Sequence, residues 1–317
     1  MQNNAGLVVV LGVGGTIAGT ASRPGDNVGY SAAQLGVAQL LATVPALRGT
    51  PIEAEQVAQL DSKDMDFSVW LKLAHAVDLH LARAEVRGIV ITHGTDTLEE
   101  TAYFLQRVLA PAKPVVMVAA MRPATSLQAD GPQNLLDGVR LAREEGARGV
   151  LVVLAGKVHS GLDVRKVHPY RLDAFGSGDA GVVAHLEEDA IRRHREWPGG
   201  EPFGLGRLPA DATPWPRVEI LTSHAGADAV VVSALRSAGV EGIVVAGTGN
   251  GSVHQALEAA LQEAQFAGCA VLRCTRCVDG SVIDAEASVG GLPSAGALTP
   301  VQARIELMLR LLAERVP

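Results

Sequence analysis

The chain has 317 residues, 48% of them hydrophobic and 19% charged, which is ample material for a core and too apolar for disorder. A net charge of -7 and an aromatic content of 3% argue against a nucleic-acid partner, which wants a basic face and stacking surfaces. No apolar run reaches the roughly 20 residues of a membrane span, so no membrane partner is expected either.

In chain order, residues 6–12 (GLVVVLG) read as a strand, and no basic segment precedes it as a secretory signal requires. The expected compartment is therefore cytoplasmic, or periplasmic if a signal has been removed. Residues 31–44 read as a helix capped by Ser31, and residues 67–83 as a second helix. Ile89, Val90, Ile91 and Thr92 have the β-branched run of a buried parallel strand. His93 and Gly94 break it. Leu98, Ala102, Leu105 and Leu109 then recur at helical spacing, with Thr97 and Glu100 placed as a capping box and Glu99 and Glu100 at the positive end of the helix. Strands at 114–121 and 149–156 flank a helix at 131–146.

Residues 195–217, rich in Pro and Gly and without periodicity, read as a linker. Beyond it, strands at 218–223, 242–247 and 270–277 alternate with helices at 228–239 and 253–268. A last helix has Thr299 as cap, Pro300 at its first position and an apolar stripe of Val301, Ile305, Met308, Leu309 and Leu312. The expected architecture is α/β: a larger N-terminal domain (1–194) with a mostly parallel sheet and helices on both faces, then the linker, then a smaller C-terminal α/β domain (218–317).

Thr95 and Asp96 fall between a strand and a helix N-terminus, where open α/β sheets bind ligands. Thr16 follows three glycines at the end of the first strand and should share that sheet edge. Gly12-Val13-Gly14-Gly15-Thr16 does not fit the dinucleotide-binding G-x-G-x-x-G pattern, and no acid follows about twenty residues on. Cys274-Thr-Arg-Cys277 has C-x-x-C spacing but no further ligands at zinc spacing, so the thiols read as packing groups. The nine histidines include no close pair at ligand spacing on a helix face, and no metal site is expected. His93 reads as a structural hydrogen-bonder, and the IRRHRE stretch at 191–196 as solvated surface.

GGTIAG (residues 14–19) together with THGTDTLEETAYFL (92–105) resembles the two signature segments of bacterial-type L-asparaginases and glutaminase-asparaginases. The likeness runs through LDVRKVH (162–168), GTGNGSV (247–253) and DAEAS (284–288), and covers nearly the whole chain in order. It implies hydrolysis of the side-chain amide of L-asparagine, with no cofactor. Thr16 is the implied nucleophile, assisted by Tyr30 on a Gly/Pro-rich loop that can serve as a lid. Thr95, Asp96 and Lys166 form the implied triad. Ser62 and Asp96 hold the substrate's carboxylate and amine, and the Ala120 carbonyl faces the carboxamide. Asn250 and Glu286 arrive from a neighbouring subunit, which implies a homotetramer built as a dimer of dimers.

The physical logic agrees with that assignment. An amide is a poor electrophile and a threonine hydroxyl a poor nucleophile, so a covalent route needs a base and oxyanion donors. One position departs from the family. Its third loop carries Gln or Glu after the serine, whereas this chain has Ser62-Lys63. A cation there would repel the substrate's ammonium, with L-glutamine affected more than L-asparagine. The alternatives are that Lys63 turns to solvent or pairs with Asp61 or Asp64, that the enzyme is a glutaminase-asparaginase or acts on another small amide, that the chain is a catalytically weak homologue binding an amino acid, or that it is the amidase subunit of a tRNA-dependent amidotransferase, which normally carries an extra N-terminal domain.

Overall fold

A computed structural model of the chain describes residues 6–23, 25–210, 214–284 and 291–315. The described chain divides into two compact units, with the boundary between Leu205 and Gly206.

In the first unit, strand β1 (Leu7–Gly14) is followed by two short paired strands, β2 (Thr20–Ala21) and β3 (Tyr30–Ser31). Helix α1 (Val37–Ala42) leads to β4 (Ile52–Leu60), then helix α2 (Phe67–Leu81), β5 (Val86–Thr92), α3 (Leu98–Leu109), β6 (Pro114–Val118), α4 (Gly131–Ala142) and β7 (Gly149–Leu154). Strand β8 (Lys157–Ser160) is followed by the short paired strands β9 (Arg165–Lys166) and β10 (Phe175–Gly176), then β11 (Ala184–Glu187) and β12 (Ala190–Arg193). The main sheet has eight strands in the order β12-β11-β8-β7-β6-β5-β1-β4. Pairings from β4 to β7 are parallel, and those from β7 to β12 antiparallel.

Alternation along these strands sends side chains to two opposite faces. Val8, Val10, Val90, Val116, Val118, Leu151 and Val153 pack with Val37 and Leu40 of α1 and with Leu135, Val139 and Leu141 of α4. Intervening residues such as Val9, Leu11, Ile89, Ile91 and Met117 are fully buried on the other face, where α2 lies against β4 and β5 and α3 against β7. Helices on both faces explain why the central strands are apolar throughout. Phe104 of α3 is wholly buried, and its ring stacks on Trp70 of α2 at 4.6 Å between centroids.

The second unit has a three-stranded parallel sheet of β13 (Val218–Thr222), β14 (Gly242–Gly247) and β15 (Ala270–Thr275), in sequence order. Its helices are α5 (Val230–Ser237), α6 (Gln255–Phe266) and α7 (Pro300–Arg315). Val232, Leu257 and Leu261 pack on Ile243, Val245 and Val271. Helix α7 buries Ile305, Met308, Leu309 and Leu312 against all three strands. The Thr299 cap is formed reciprocally: Gln302 N–H donates to Thr299 Oγ1 at 3.4 Å, and Thr299 N–H donates to Gln302 Oε1 at 3.1 Å. Cys269 and Cys274 are buried, while Cys277 lies past the end of β15 and is exposed.

Two local expectations are corrected. The helix expected over 31–44 begins only at Val37, because Ser31 pairs with Thr20 in a strand and Ala33 adopts a left-handed φ of 55° that no helix tolerates. Gly36 N–H then donates to Gln39 Oε1 and Val37 N–H to Gln56 Oε1, both at 2.9 Å, which starts the helix without a Ser cap. The capping box expected at Thr97 and Glu100 is absent, since Thr97 Oγ1 instead donates to the Ser62 carbonyl at 2.7 Å. Strands β2, β3, β4, β8, β9, β10, β11 and β12 are additions to the expected set. They are short or polar, and the last two belong to the exposed end of the sheet.

The Trp70–Phe104 stack joins the two helices of one face. Phe104→Ala is expected to cost about 3–5 kcal/mol of unfolding free energy, read as a lowered urea midpoint.

Candidate active site

Parallel strands in the order β4-β1-β5-β6-β7 reverse direction of progression at β1 and β5, the point where open α/β sheets form a crevice at the carboxyl ends. The two signature segments leave the sheet there, after Gly14 and Thr92. They meet at backbone distance. A Cβ on Gly15, whose φ is 84°, would lie 2.3 Å from Gly94 Cα, and a Cβ on Gly94 would lie 2.4 Å from Ser62 Oγ. Only hydrogen at both positions lets the loops after β1, β5 and β4 touch. Gly15 N–H also donates to the Leu60 carbonyl at 3.0 Å, which ties the first loop to the end of β4.

Thr16 opens a short 3-10 turn and is 7% exposed. Its Oγ1 and the Tyr30 hydroxyl share a hydrogen bond of 2.7 Å. Tyr30 stands on β3, directly after a turn in which Asp26 Oδ1 accepts from Val28 N–H at 3.0 Å and Gly29 N–H at 2.6 Å. Thr95 is 5% exposed and accepts from Lys166 Nζ at 3.0 Å. The same ammonium nitrogen lies 2.7 Å from Asp96 Oδ1. Lys166 reaches this point from β9, which is held by pairing with Phe175. Buried Ser62 accepts from Asp96 N–H through its Oγ at 3.2 Å.

The structure therefore joins Thr16 to Tyr30, and Thr95 to Lys166, Asp96 and Ser62, on loops in contact with one another. Ala120 is buried in the loop after β6. Asp130 braces that loop by accepting from Met121 N–H and Arg122 N–H, while Asn134 Nδ2 donates to the neighbouring Ala119 carbonyl at 2.8 Å. Lys63 turns to its neighbours: Nζ is 2.7 Å from Asp61 Oδ2 and 3.2 Å from Asp64 Oδ2, and those bonds hold the ammonium above its ordinary pKa.

Asn250 belongs to the second unit, in the turn after β14. Both ends of its amide are occupied: Nδ2 donates to the Ile283 carbonyl, and Oδ1 accepts from Ile283 N–H, each at 2.8 Å. Arg273 collects the same region, donating to the carbonyls of Asn250 and Gly251 and pairing with Asp284. Glu286 lies outside the described residues.

Burial tunes two neighbours of the site. His93 has no solvent exposure, which pushes its pKa down to about 4, and its Nδ1 lies 2.7 Å from the Gly94 carbonyl. Burial leaves the ring uncharged near neutral pH, and both of its nitrogens are in hydrogen bonds. The sequence assigns Glu99 only to the helix end. Burial raises its pKa to about 7 even though the Lys166 backbone N–H bonds to the carboxylate and lowers it in part. Nothing in the neighbouring residues signals that environment, because the segment that carries Lys166 lies far along the chain.

At the opposite, amino-terminal end of the sheet lies an open depression of about 830 Å³ lined by residues including Glu85, Arg87, Lys113 and Arg148. Its Lys113 is committed to the carbonyls of Leu81 and Arg83, and Glu85 to Arg83. Its lining holds no hydroxyl–base pair of the kind found at the carboxyl ends.

A family model described as Asparaginase, N-terminal, matches residues 7–198, and one described as Glutaminase/Asparaginase C-terminal domain matches residues 217–316. The chain belongs to the asparaginase family. Among its relatives, a protein of Haemophilus influenzae named probable periplasmic L-asparaginase is 37% identical over 98% of this chain and 90% of its own length. A glutaminase-asparaginase of Pseudomonas fluorescens biotype A is 38% identical over 87% of this chain and 77% of its own. The crystal structure of a probable cytoplasmic L-asparaginase from Campylobacter jejuni superposes with a TM-score of 0.90 at 37% identity, over 96% of this chain and 95% of that one. Among the described residues no helix is long and apolar enough to cross a membrane.

The raised Glu99 pKa carries a sign. Stability contributed by a carboxyl that protonates more readily when folded is complete below its ordinary value of 4.5 and is lost as pH rises through about 7. Glu99→Gln should therefore gain thermal stability relative to the unaltered protein between about pH 5 and about pH 8, measured as the difference in Tm across that range.

Proposed function

We propose that the protein hydrolyses the side-chain amide of L-asparagine to L-aspartate and ammonia through a threonine-linked acyl-enzyme. The observation that carries this reading is the pair of buried threonine hydroxyls, each joined to a proton-handling partner, on touching loops of a chain that belongs to the asparaginase family. Thr16 Oγ1 attacks the amide carbon while its proton passes through the Tyr30 hydroxyl to the departing nitrogen, and the C–N bond breaks with release of ammonia. Water then attacks the ester, and Thr16 is regenerated with its proton. Thr95, Asp96 and Lys166 organise the proton movements around the reacting centre, with Lys166 able to accept a proton only in its neutral form. Backbone N–H groups and Ser62 suit the substrate carboxylate, Asp96 suits the ammonium, and the Ala120 carbonyl suits the amide nitrogen.

The reading includes a homotetramer built as a dimer of dimers, in which residues 218–317 complete a neighbouring subunit's site through Asn250 and Glu286. The Asn250 amide, committed to Ile283, supports a share in that role by holding the backbone directly before the DAEAS segment that carries Glu286. Mixed asparagine and glutamine specificity is the second reading, favoured by the glutaminase-asparaginase relative. The compensated charge at Lys63 bears on it, because Asp61 and Asp64 neutralise the cation that would repel a substrate amine.

Ammonia release from L-asparagine and L-glutamine tests the activity directly, and its absence with both would end the proposal. Thr16→Ala and Thr95→Ala should each lower kcat by on the order of a thousandfold or more while leaving the circular dichroism spectrum intact. Lys63→Gln should change kcat/KM by less than about fivefold for either amino acid, since exposed ion pairs contribute little. A tenfold or larger gain for L-glutamine would show that the Lys63 charge still reaches the substrate.

A further inference from the structure

We propose that Trp70 and Thr101 are positioning residues, acting through His93 on the Gly94 carbonyl and so on the backbone that presents Thr95. The inference deepens the reading above, since its catalytic consequence rests on Thr95 serving that site.

Four groups from three elements form one line. Trp70 Nε1 of α2 lies 2.9 Å from Thr101 Oγ1 of α3. Thr101 Oγ1 lies 3.0 Å from His93 Nε2, just past β5, and His93 Nδ1 lies 2.7 Å from the Gly94 carbonyl. Trp70 is 4% exposed, and Thr101 and His93 are wholly buried. Buried polar groups of this kind are satisfied internally, so each donor and acceptor must find its partner within the line.

The direction of every bond follows from chemistry. An indole N–H only donates, so Thr101 Oγ1 accepts from Trp70. A carbonyl only accepts, so the His93 proton sits on Nδ1 and points to Gly94. Burial keeps the imidazole neutral down to about pH 4, leaving Nε2 without a proton. Nε2 must then accept, and the Thr101 hydroxyl hydrogen supplies the bond. Thr101 both accepts and donates through a single hydroxyl, whereas His93 divides the two roles between its ring nitrogens. Replacing its hydroxyl with a methyl leaves a buried indole N–H and a buried imidazole nitrogen unsatisfied, and it removes what favours the Nδ1–H tautomer.

The far end of the line matters because Gly94 has no slack. Its Cα is packed on Gly15, and a Cβ there would strike Ser62. The next residue is Thr95, and Asp96 N–H follows on Ser62 Oγ. A rotation of the Gly94 peptide would therefore displace Thr95 and Asp96 together. At the near end, stacking on Phe104 pins the indole plane.

The test has a spectroscopic and a kinetic arm. In protein with 15N-labelled histidine, long-range 15N–1H spectra should show His93 protonated at Nδ1 and bare at Nε2 at neutral pH. Thr101→Val should lower kcat on L-asparagine by on the order of tenfold to a hundredfold with a smaller change in KM, because displaced reacting groups cost rate more than affinity. Thr101→Ser, which restores the hydroxyl, should recover kcat to within about threefold, as a purely steric role for the methyl group would not allow. Protonated Nε2 in the unaltered protein overturns the line whatever the activity. An unchanged kcat in folded Thr101→Val overturns its bearing on Thr95. If the unaltered protein releases no ammonia, the functional reading fails, and the spectrum still decides the line of bonds.

Discussion

Backbone contact between Gly15 and Gly94 is the constraint on which the site depends. Each glycine immediately precedes one of the two threonines, so the spacing of the loops also sets the spacing of the hydroxyls. Neither loop could hold that position alone. The first is tied to β4 through the Leu60 carbonyl, and the second is clamped by His93 and by Ser62. A parallel sheet makes the meeting possible, because adjacent strands β1 and β5 run in the same direction and release their loops on the same side, β1 extending two residues beyond the partner of Thr92.

The polar chemistry is divided in a way that follows burial. The buried groups are neutral, namely the threonine hydroxyls and the His93 ring, and the half-buried Glu99 carboxyl is shifted toward neutrality. The fixed charges, Asp96 and the Lys63 cluster, stay in partial contact with solvent, and Lys166 is the partly buried cation that bridges the two zones. Low dielectric strengthens a bond made inside such a site and penalises a charge left there without a partner. The paired arrangement of Lys166 between Thr95 and Asp96 meets both demands.

Much of this was legible in the residues. Apolar runs such as Val8–Leu11 of β1 and Ile89–Ile91 of β5 announced central strands because helices cover both faces, and the glycines before Thr16 marked a place of close approach, whereas Gly94 read only as the end of a strand. Short polar elements were not legible. Strand β4 carries Glu53, Glu55 and Gln56 at the edge of the sheet, so its composition reads as surface. The helix expected from Ser31 failed because the backbone at Ala33 is set by contacts with Gly15 and Gln59 that lie elsewhere in the chain. Thr97 looked like a cap from its neighbours, yet its hydroxyl serves Ser62, 35 positions away. Trp70 and Thr101 looked like ordinary helix residues, since only tertiary packing aligns them with His93.

The two outer strands of the large sheet have a further implication. At one margin β4 presents Glu53 and Glu55, and at the other β12 presents Arg192 and Arg193. Charged side chains on both borders, with Glu53 bonded to Arg83 and Arg192 to Glu187, are the kind of edge feature that disfavours the addition of a foreign strand. A strand adding at either border would have to strip water from those charges or break their ion pairs, so extending the sheet by hydrogen bonding carries a desolvation cost at both ends.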